Sequence, residues 1–260
     1  SAFNSRSVVV SLPLASPTVT TNAATAIELQ TATLNGLLNS RGGAGTANVR
    51  FDWGDVANTE NLTGWQTLNS DNATFAANLT ALAKGKTYHF RAEAQNTAGT
   101  VYGLDLTFIT KPDAASGLTT TPVSQTQINL SWTKGTGAFN TKVQRGPAGG
   151  VCPVSPVDAT QVYYGQGSSV SDSGLTANTT YCYRAWSEAL EESLTKYSDS
   201  YSQVVVNTPP AVDNPPQITI SCPQCASIMN LGDVVSVTVS ATDDLGLDQL
   251  YLKVAGEQPI

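Results

Sequence analysis

Four cysteines and one histidine are the residues of this chain whose types invite a chemical reading. Cys222-Pro-Gln-Cys225 has the spacing of a redox pair or of half a zinc site. Redox catalysis by such a pair usually draws on a helix N-terminus to hold the thiolate. Here the pair follows the β-branched run Gln217–Ser221 and precedes a loop. Zinc needs four ligands, and His89 is all the chain offers besides the other cysteines. A local structural disulfide is the better reading of Cys222 and Cys225. Cys152 and Cys182 form the second group. An even cysteine count in a Thr/Ser-rich chain favours an oxidising compartment. His89 has no serine or cysteine nucleophile marked out beside it, so a surface position on a strand explains it better than catalysis. The chain shows no catalytic apparatus and reads as a protein that is not an enzyme.

The composition narrows the partners. Only 13% of the 260 residues are charged, about half the usual share of roughly 25%. Net charge is −7. A uniformly acidic surface repels phosphate backbones and anionic membranes, which argues against nucleic acid as a partner. No stretch approaches the roughly 18 apolar residues that span a bilayer. No signal peptide is visible and the chain starts at Ser1, as a mature product without its export signal would.

The elements that must carry these residues are strands. Ala47-Asn-Val49-Arg-Phe51-Asp-Trp53 alternates cleanly, and Gln127-Ile128-Asn-Leu130-Ser-Trp132 does the same. Period two with one buried face is the signature of an antiparallel sheet. No segment offers helical periodicity over three turns, and Glu188–Leu194 could form one turn at most. A pattern also recurs: Leu82 precedes Tyr88 by six residues, and Leu175 precedes Tyr181 by six. The two tyrosines lie about one small β-sandwich apart, which means two copies of one module. The expected organisation is an extended strand or tail over 1–15, sandwiches over 16–110 and 111–208, and an incomplete domain over 209–260. Val8, Val9 and Val10 form the core of the leading strand, which Pro13 ends. The prolines of 208–216 make a stiff linker that cannot join a sheet interior.

At Trp132, Leu175, Tyr181 and Arg184 the second module resembles a fibronectin type III domain. That family carries a buried Trp on its second strand and a Leu-to-Tyr corner before its sixth. The resemblance places Trp132 at the first, and Leu175 with Tyr181 at the second, where the tyrosine hydroxyl bonds back to backbone just upstream. The first module resembles the same superfamily more loosely. Leu82, Tyr88 and the turn Asn96–Gly99 fit, but Leu34 and Leu37 stand where the Trp would be. Its Phe51-Asp-Trp53-Gly54 strand resembles variants found in microbial surface proteins. The last segment resembles bacterial immunoglobulin-like or cadherin-like repeats through Ala241-Thr-Asp243-Asp244. The fold class expected is therefore all-β: tandem antiparallel sandwiches of fibronectin type III or Ig-like type, the third domain incomplete.

Several site readings follow. Alternation puts Tyr181, Tyr183 and Ala185 inward and Cys182 outward, with Cys152 in the loop before the neighbouring strand; a surface disulfide would tie that loop. Asp213 and Asn214, followed by Asp243 and Asp244, resemble calcium-binding linker elements of cadherin-like repeats; the plainer reading is an Asp-rich turn with Asx hydrogen bonds, so the expected cofactor is none, with calcium the one alternative. Glu188, Glu191 and Glu192 are the nearby acidic partners such a site could use. Asn61, Asn72, Asn78, Asn129 and Asn178 head N-glycosylation sequons. Trp53, Trp65 and Trp186 could make a sugar-stacking platform, with Trp53 the most core-like and the other two on less regular segments.

These readings converge on a non-catalytic, extracellular or cell-surface structural protein: a rod, stalk or filament subunit. Its partners would be copies of itself or other surface proteins, with a glycan as a further ligand. Head-to-tail assembly by strand donation would use Val8–Val10 as donor. Two alternatives stand beside it: accessory spacer or carbohydrate-binding modules of a secreted polysaccharide-degrading enzyme, and an adhesin that binds through its loops.

Overall fold

The computed structural model describes residues 13–56, 60–212, 215–222 and 236–242. The chain divides into two units, one up to Pro209 and one from Pro210. No helix occurs among the described residues. The first unit holds two sandwiches, each with its own core.

In the first sandwich β1 (Thr18–Thr25), β2 (Ala32–Ser40), β3 (Ala47–Gly54), β4 (Asn61–Leu62), β5 (Gln66–Leu68), β6 (Ala73–Leu79), β7 (Thr87–Asn96), β8 (Gly99–Tyr102) and β9 (Leu106–Ile109) follow in order. One sheet runs β1-β2-β6. The other runs β4-β3-β7-β8, with β5 also on β3 and β9 also on β7. All pairings are antiparallel. Alternation works as period two requires: Leu34, Leu38, Val49, Phe51, Phe75, Phe90 and Phe108 are buried between the sheets. Leu37 points out of this core, so the inward pair on β2 is Leu34 and Leu38, not Leu34 and Leu37. Between them sits Gly36, and a Cβ there would lie 2.4 Å from Phe75 Cζ. The ring of Phe75, from the neighbouring strand, supplies the aromatic bulk that β2 itself lacks.

The second sandwich repeats this plan with β10 (Ser116–Ser124), β11 (Gln127–Thr133), β12 (Asn140–Arg145), β13 (Thr160–Gly165), β14 (Ser169–Ser173), β15 (Thr180–Glu191), β16 (Leu194–Tyr197) and β17 (Ser202–Asn207). Its sheets are β10-β11-β14 and β13-β12-β15-β16, with β17 on the other part of β15. Ile128, Leu130, Trp132, Val143, Tyr181 and Tyr183 form its core. Residues 188–194, where sequence allows at most one helical turn, instead continue β15 into a hairpin with β16, Glu191 pairing with Leu194.

The two corners are superimposable in chemistry. Tyr88 Oη accepts the Ala83 N–H at 2.8 Å, and Tyr181 Oη accepts the Thr176 N–H at 3.0 Å. Leu82 and Leu175 are buried beside them. A second repeat was not evident from sequence. Thr110 and Thr208 are both buried, and each hydroxyl donates into its corner loop: Thr110 to Ala83 O at 2.7 Å, Thr208 to Thr176 O at 2.6 Å. Each sandwich thus ends on a threonine latch.

The second unit shows β18 (Gln217–Ser221) paired antiparallel with β19 (Thr238–Thr242), from Gln217↔Thr242 to Ser221↔Thr238.

Candidate functional site

The region where charge is concentrated lies between the two sandwiches, at the tip of the β15–β16 hairpin. Its two-residue turn is Glu192-Ser193, with φ of 50° and 69°. Both residues are left-handed, the geometry that matches strand twist in a two-residue hairpin and that normally recruits Asn-Gly. A non-glycine residue there costs about 1–2 kcal/mol. The turn aims two carboxylates at the first sandwich. Glu191 Oε1 accepts from Lys86 Nζ at 2.8 Å and Oε2 accepts the Thr87 N–H at 2.6 Å. Glu192 Oε2 lies 3.1 Å from His89 Nε2, whose Nδ1 faces Asp105 Oδ2 at 3.6 Å.

Three further contacts surround this tip. Lys84 Nζ bonds both carboxylate oxygens of Asp113, at 2.7 and 2.8 Å. Lys111, between the sandwiches, holds Glu28 of the first at 2.8 Å and Asp199 of the second at 2.7 Å. Gly85 and Gly137 meet backbone to backbone, since a Cβ on Gly85 would lie 1.8 Å from Gly137 O.

The protonation energetics agree with the geometry. Burial pushes the Glu191 carboxyl up, but the bonds from Lys86 and the Thr87 N–H outweigh it and hold it below the usual carboxylate value. The bond to Glu191 raises the Lys86 ammonium, against a smaller opposing effect of burial. Burial lowers Lys111, and its bonds to Asp199 and Glu28 reverse that to a net rise.

Glu191 and Glu192 bond to the first sandwich, and Glu188 is buried beneath Asn140 and Tyr164, which both donate to its Oε2. Asp213, Asn214, Asp243 and Asp244 lie outside the described residues, as do Val8, Val9, Val10 and Cys225. Among the described residues no three His, Cys, Asp or Glu side chains are grouped to hold a metal ion. His89 is not simply a surface residue on a strand exterior, because it is half-buried where the hairpin of the second sandwich arrives. Sequence reading passed over this joint. The available signal was Lys84-Gly85-Lys86, which fills the first corner loop where the second has the neutral Ala177-Asn178-Thr179.

Cys152 and Cys182 are joined in a disulfide. Cys182 does sit on the sheet face away from the core, yet it is fully buried, because the loop 146–159 lies over it. Arg184 donates to Pro153 O, Gln144 Nε2 donates to Pro156 O, and Asp158 Oδ2 accepts from the N–H groups of Val154 and Ser155, so the loop is fastened at several points. Val151, Val154 and Val157 are left exposed on it. Cys222 is also disulfide-bonded.

The tryptophans do not form one platform. Trp53 packs on Tyr88 with ring centroids 5.9 Å apart, and Trp186 lies within β15, buried against Tyr201, not exposed on an irregular segment. Trp65 is exposed but is covered on one face by the Arg50 guanidinium at 4.1 Å. Arg50 opens a row across the outer face of the β4-β3-β7-β8 sheet: Arg50 pairs with Glu93, Arg91 with Asp52, and Arg91 stacks on Tyr102. Burial, aided by the neighbouring Asp52 carboxylate, raises the Glu93 carboxyl against the pull of Arg50.

All five sequon asparagines are exposed. Asn72 and Asn178 occupy left-handed turn positions, Asn61 begins β4, and Asn78 and Asn129 stand on outer sheet faces, where Thr33 and Ser171 donate to them.

No protein-family model matches the sequence, and no curated protein matches it. Among solved structures, the sensor domain of the anti-sigma factor RsgI4 in Pseudobacteroides cellulosolvens matches 36% of this chain over 94% of its own, at 17% identity and a TM-score of 0.32. A two-domain fibronectin type III segment from chicken tenascin matches 75% of this chain over its full length, at 12% identity and a TM-score of 0.41. The FN1-FN3 domains of chicken CNTN1 match 73% over 68%, at 14% identity and a TM-score of 0.32. The chain is an all-β protein whose first unit is two antiparallel sandwiches in tandem.

Proposed function

We propose that this chain is a non-catalytic spacer worn on the outside of a microbial cell, in which two sandwiches are held at one fixed mutual geometry. The observation that carries the reading is the joint. Glu191 and Glu192 of one sandwich, Lys84 and Lys86 of the other, and Lys111 between them make charged bonds across it, and glycine backbones touch at its centre. A flexible tether needs none of these. Inter-domain motion is the ordinary expectation for tandem modules unless an interface restrains it, and here the restraint is built from both sides. The disulfide and the sparsely charged, Thr/Ser-rich surface suit an oxidising exterior.

Spin labels on Thr74→Cys and Thr121→Cys, one in each sandwich, test this through their distance distribution. A single narrow peak is expected, broadening when Lys86→Ala and Glu191→Ala are combined. A broad distribution in the otherwise unaltered chain would end the spacer reading.

A further inference from the structure

We propose that β6 is an acceptor edge, and that its occupant is the segment Ser7–Leu12 of a second copy of this chain. The proposal goes beyond the spacer role and stands without it.

β6 is the last strand of the β1-β2-β6 sheet, in unbroken register with β2 from Ala32↔Leu79 to Leu38↔Ala73. Ala76 O accepts from Gln66 Nε2 of β5, across the open side of the sandwich, at 2.8 Å. Ala76 therefore turns its backbone away from β2. The same parity turns Thr74 and Asn78 outward, because N–H and C=O groups alternate sides along an antiparallel strand. Proteins normally guard such edges with charge, proline, a bulge, short length or an inward-pointing charged residue. The sequence Ala73-Thr-Phe-Ala-Ala-Asn-Leu79 has no charge and no proline, and its pairing has no bulge.

The sandwich edges at β4, β5, β13 and β14 are guarded. β4 and β5 are only two and three residues long. β13 is bulged against β12. β14 is five residues long and turns Asp172 inward onto Arg145 and Tyr183. At the opposite edge of the β6 sheet, β1 packs against β7, β8 and β9, and Thr21 Oγ1 accepts the Ala92 N–H. β6 stands apart from all of these. Beside it, between the two sheets, runs a groove of about 400 Å³ lined by Trp53, Leu62, Gly64, Ala76 and Leu79. A strand added to β6 would set every second side chain into that groove, the arrangement by which an added strand gains specificity.

The occupant follows from composition and reach. Ser7-Val-Val-Val-Ser-Leu12 is an uncharged, β-branched run of nearly the length of β6, closed by Pro13. It cannot serve its own β6. Ala15 is tied to Gly42 O through its N–H and to Asn96 through its carbonyl, on the β1 side of the sheet. The free side of β6 lies three strand spacings away, about 14 Å, whereas the three residues from Leu12 to Ala15 span about 10 Å. Pairing must therefore be between copies. One donor and one acceptor per chain give an open, head-to-tail polymer.

Light scattering across a concentration series tests this on three proteins: the full chain, the chain lacking residues 1–12, and the full chain with Ala76→Pro. Ala76 makes no ladder bond to β2 through its N–H, so proline there removes only the outward donor; Ala76→Lys serves if the proline variant loses its strand spectrum. The full chain is expected to grow in mass with concentration, and each variant alone to stay monomeric. Mixed together, the truncated chain (acceptor only) and the Ala76 variant (donor only) should stop at twice the monomer mass. A full chain that stays monomeric, a truncated chain that polymerises like the full one, or a mixture that fails to pair would each overturn the proposal.

Discussion

Glu93 and Glu191 respond to acid in opposite directions. The Glu93 carboxyl is raised by burial beside Asp52, so the folded protein holds that proton more tightly than the unfolded chain. Its contribution to stability is present below the ordinary carboxylate value and is lost as pH rises through the raised one. The Glu191 carboxyl is net lowered by Lys86 and Thr87 despite burial. Its contribution is present above the ordinary carboxylate value and is lost as pH falls through the lowered one. Two variants separate the effects. Glu191→Gln is expected to melt below the parent at neutral pH, with the gap closing in acid. The pair is partly exposed, so the loss should stay within about 1 kcal/mol. Glu93→Gln is expected to melt at or above the parent at neutral pH and to fall behind it in acid. Melting temperatures of the three proteins from pH 3 to pH 8, roughly the range over which carboxylates titrate, check both signs.

At the scale of elements, the strands were legible because period two is a local property. Val49, Phe51 and Trp53 share a face whatever packs against them, and so do Ile128, Leu130 and Trp132. The tyrosine corners were legible for the same reason, since donor and acceptor lie five residues apart. What escaped notice depends on distant partners. Nothing in Glu191-Glu192-Ser193 announces a tight turn, because glycine and asparagine are absent and the left-handed geometry is imposed by the register of β15 and β16. Trp186 is buried because β15 runs on past the corner and the tilted ring of Tyr201 packs against it. The role of Gly36 could not be read from β2 alone, since the ring that needs the space comes from β6. Gly36→Ala should therefore displace Phe75 and cost about 1–3 kcal/mol, as overpacking of a filled core does. Chemical denaturation would show the midpoint shift without a change of slope.

For the two-sandwich unit, the joint decides whether the halves act as one. The Thr110 latch draws the first corner loop against the chain entering the second sandwich, and Gly85 then meets Gly137. Alanine at Gly85 would carry a left-handed φ of 62° and a methyl group in contact with a carbonyl. Strain of about 1–2 kcal/mol arises from the backbone alone. Gly85→Ala is expected to split a single calorimetric transition into two, one for each sandwich, while each half keeps its β spectrum. A single undivided transition in the variant would mean that the sandwiches are coupled through some other contact.

The bond between Cys152 and Cys182 confines sensitivity to reductants to one half of this pair. The first sandwich contains no cysteine at all. In a reducing medium the first sandwich keeps every fastening it has, while the second holds its 146–159 flap by hydrogen bonds alone. A protease added before and after reduction would find its new cleavage sites between Gly146 and Ala159, and the length of fragment released would report whether the bond was intact.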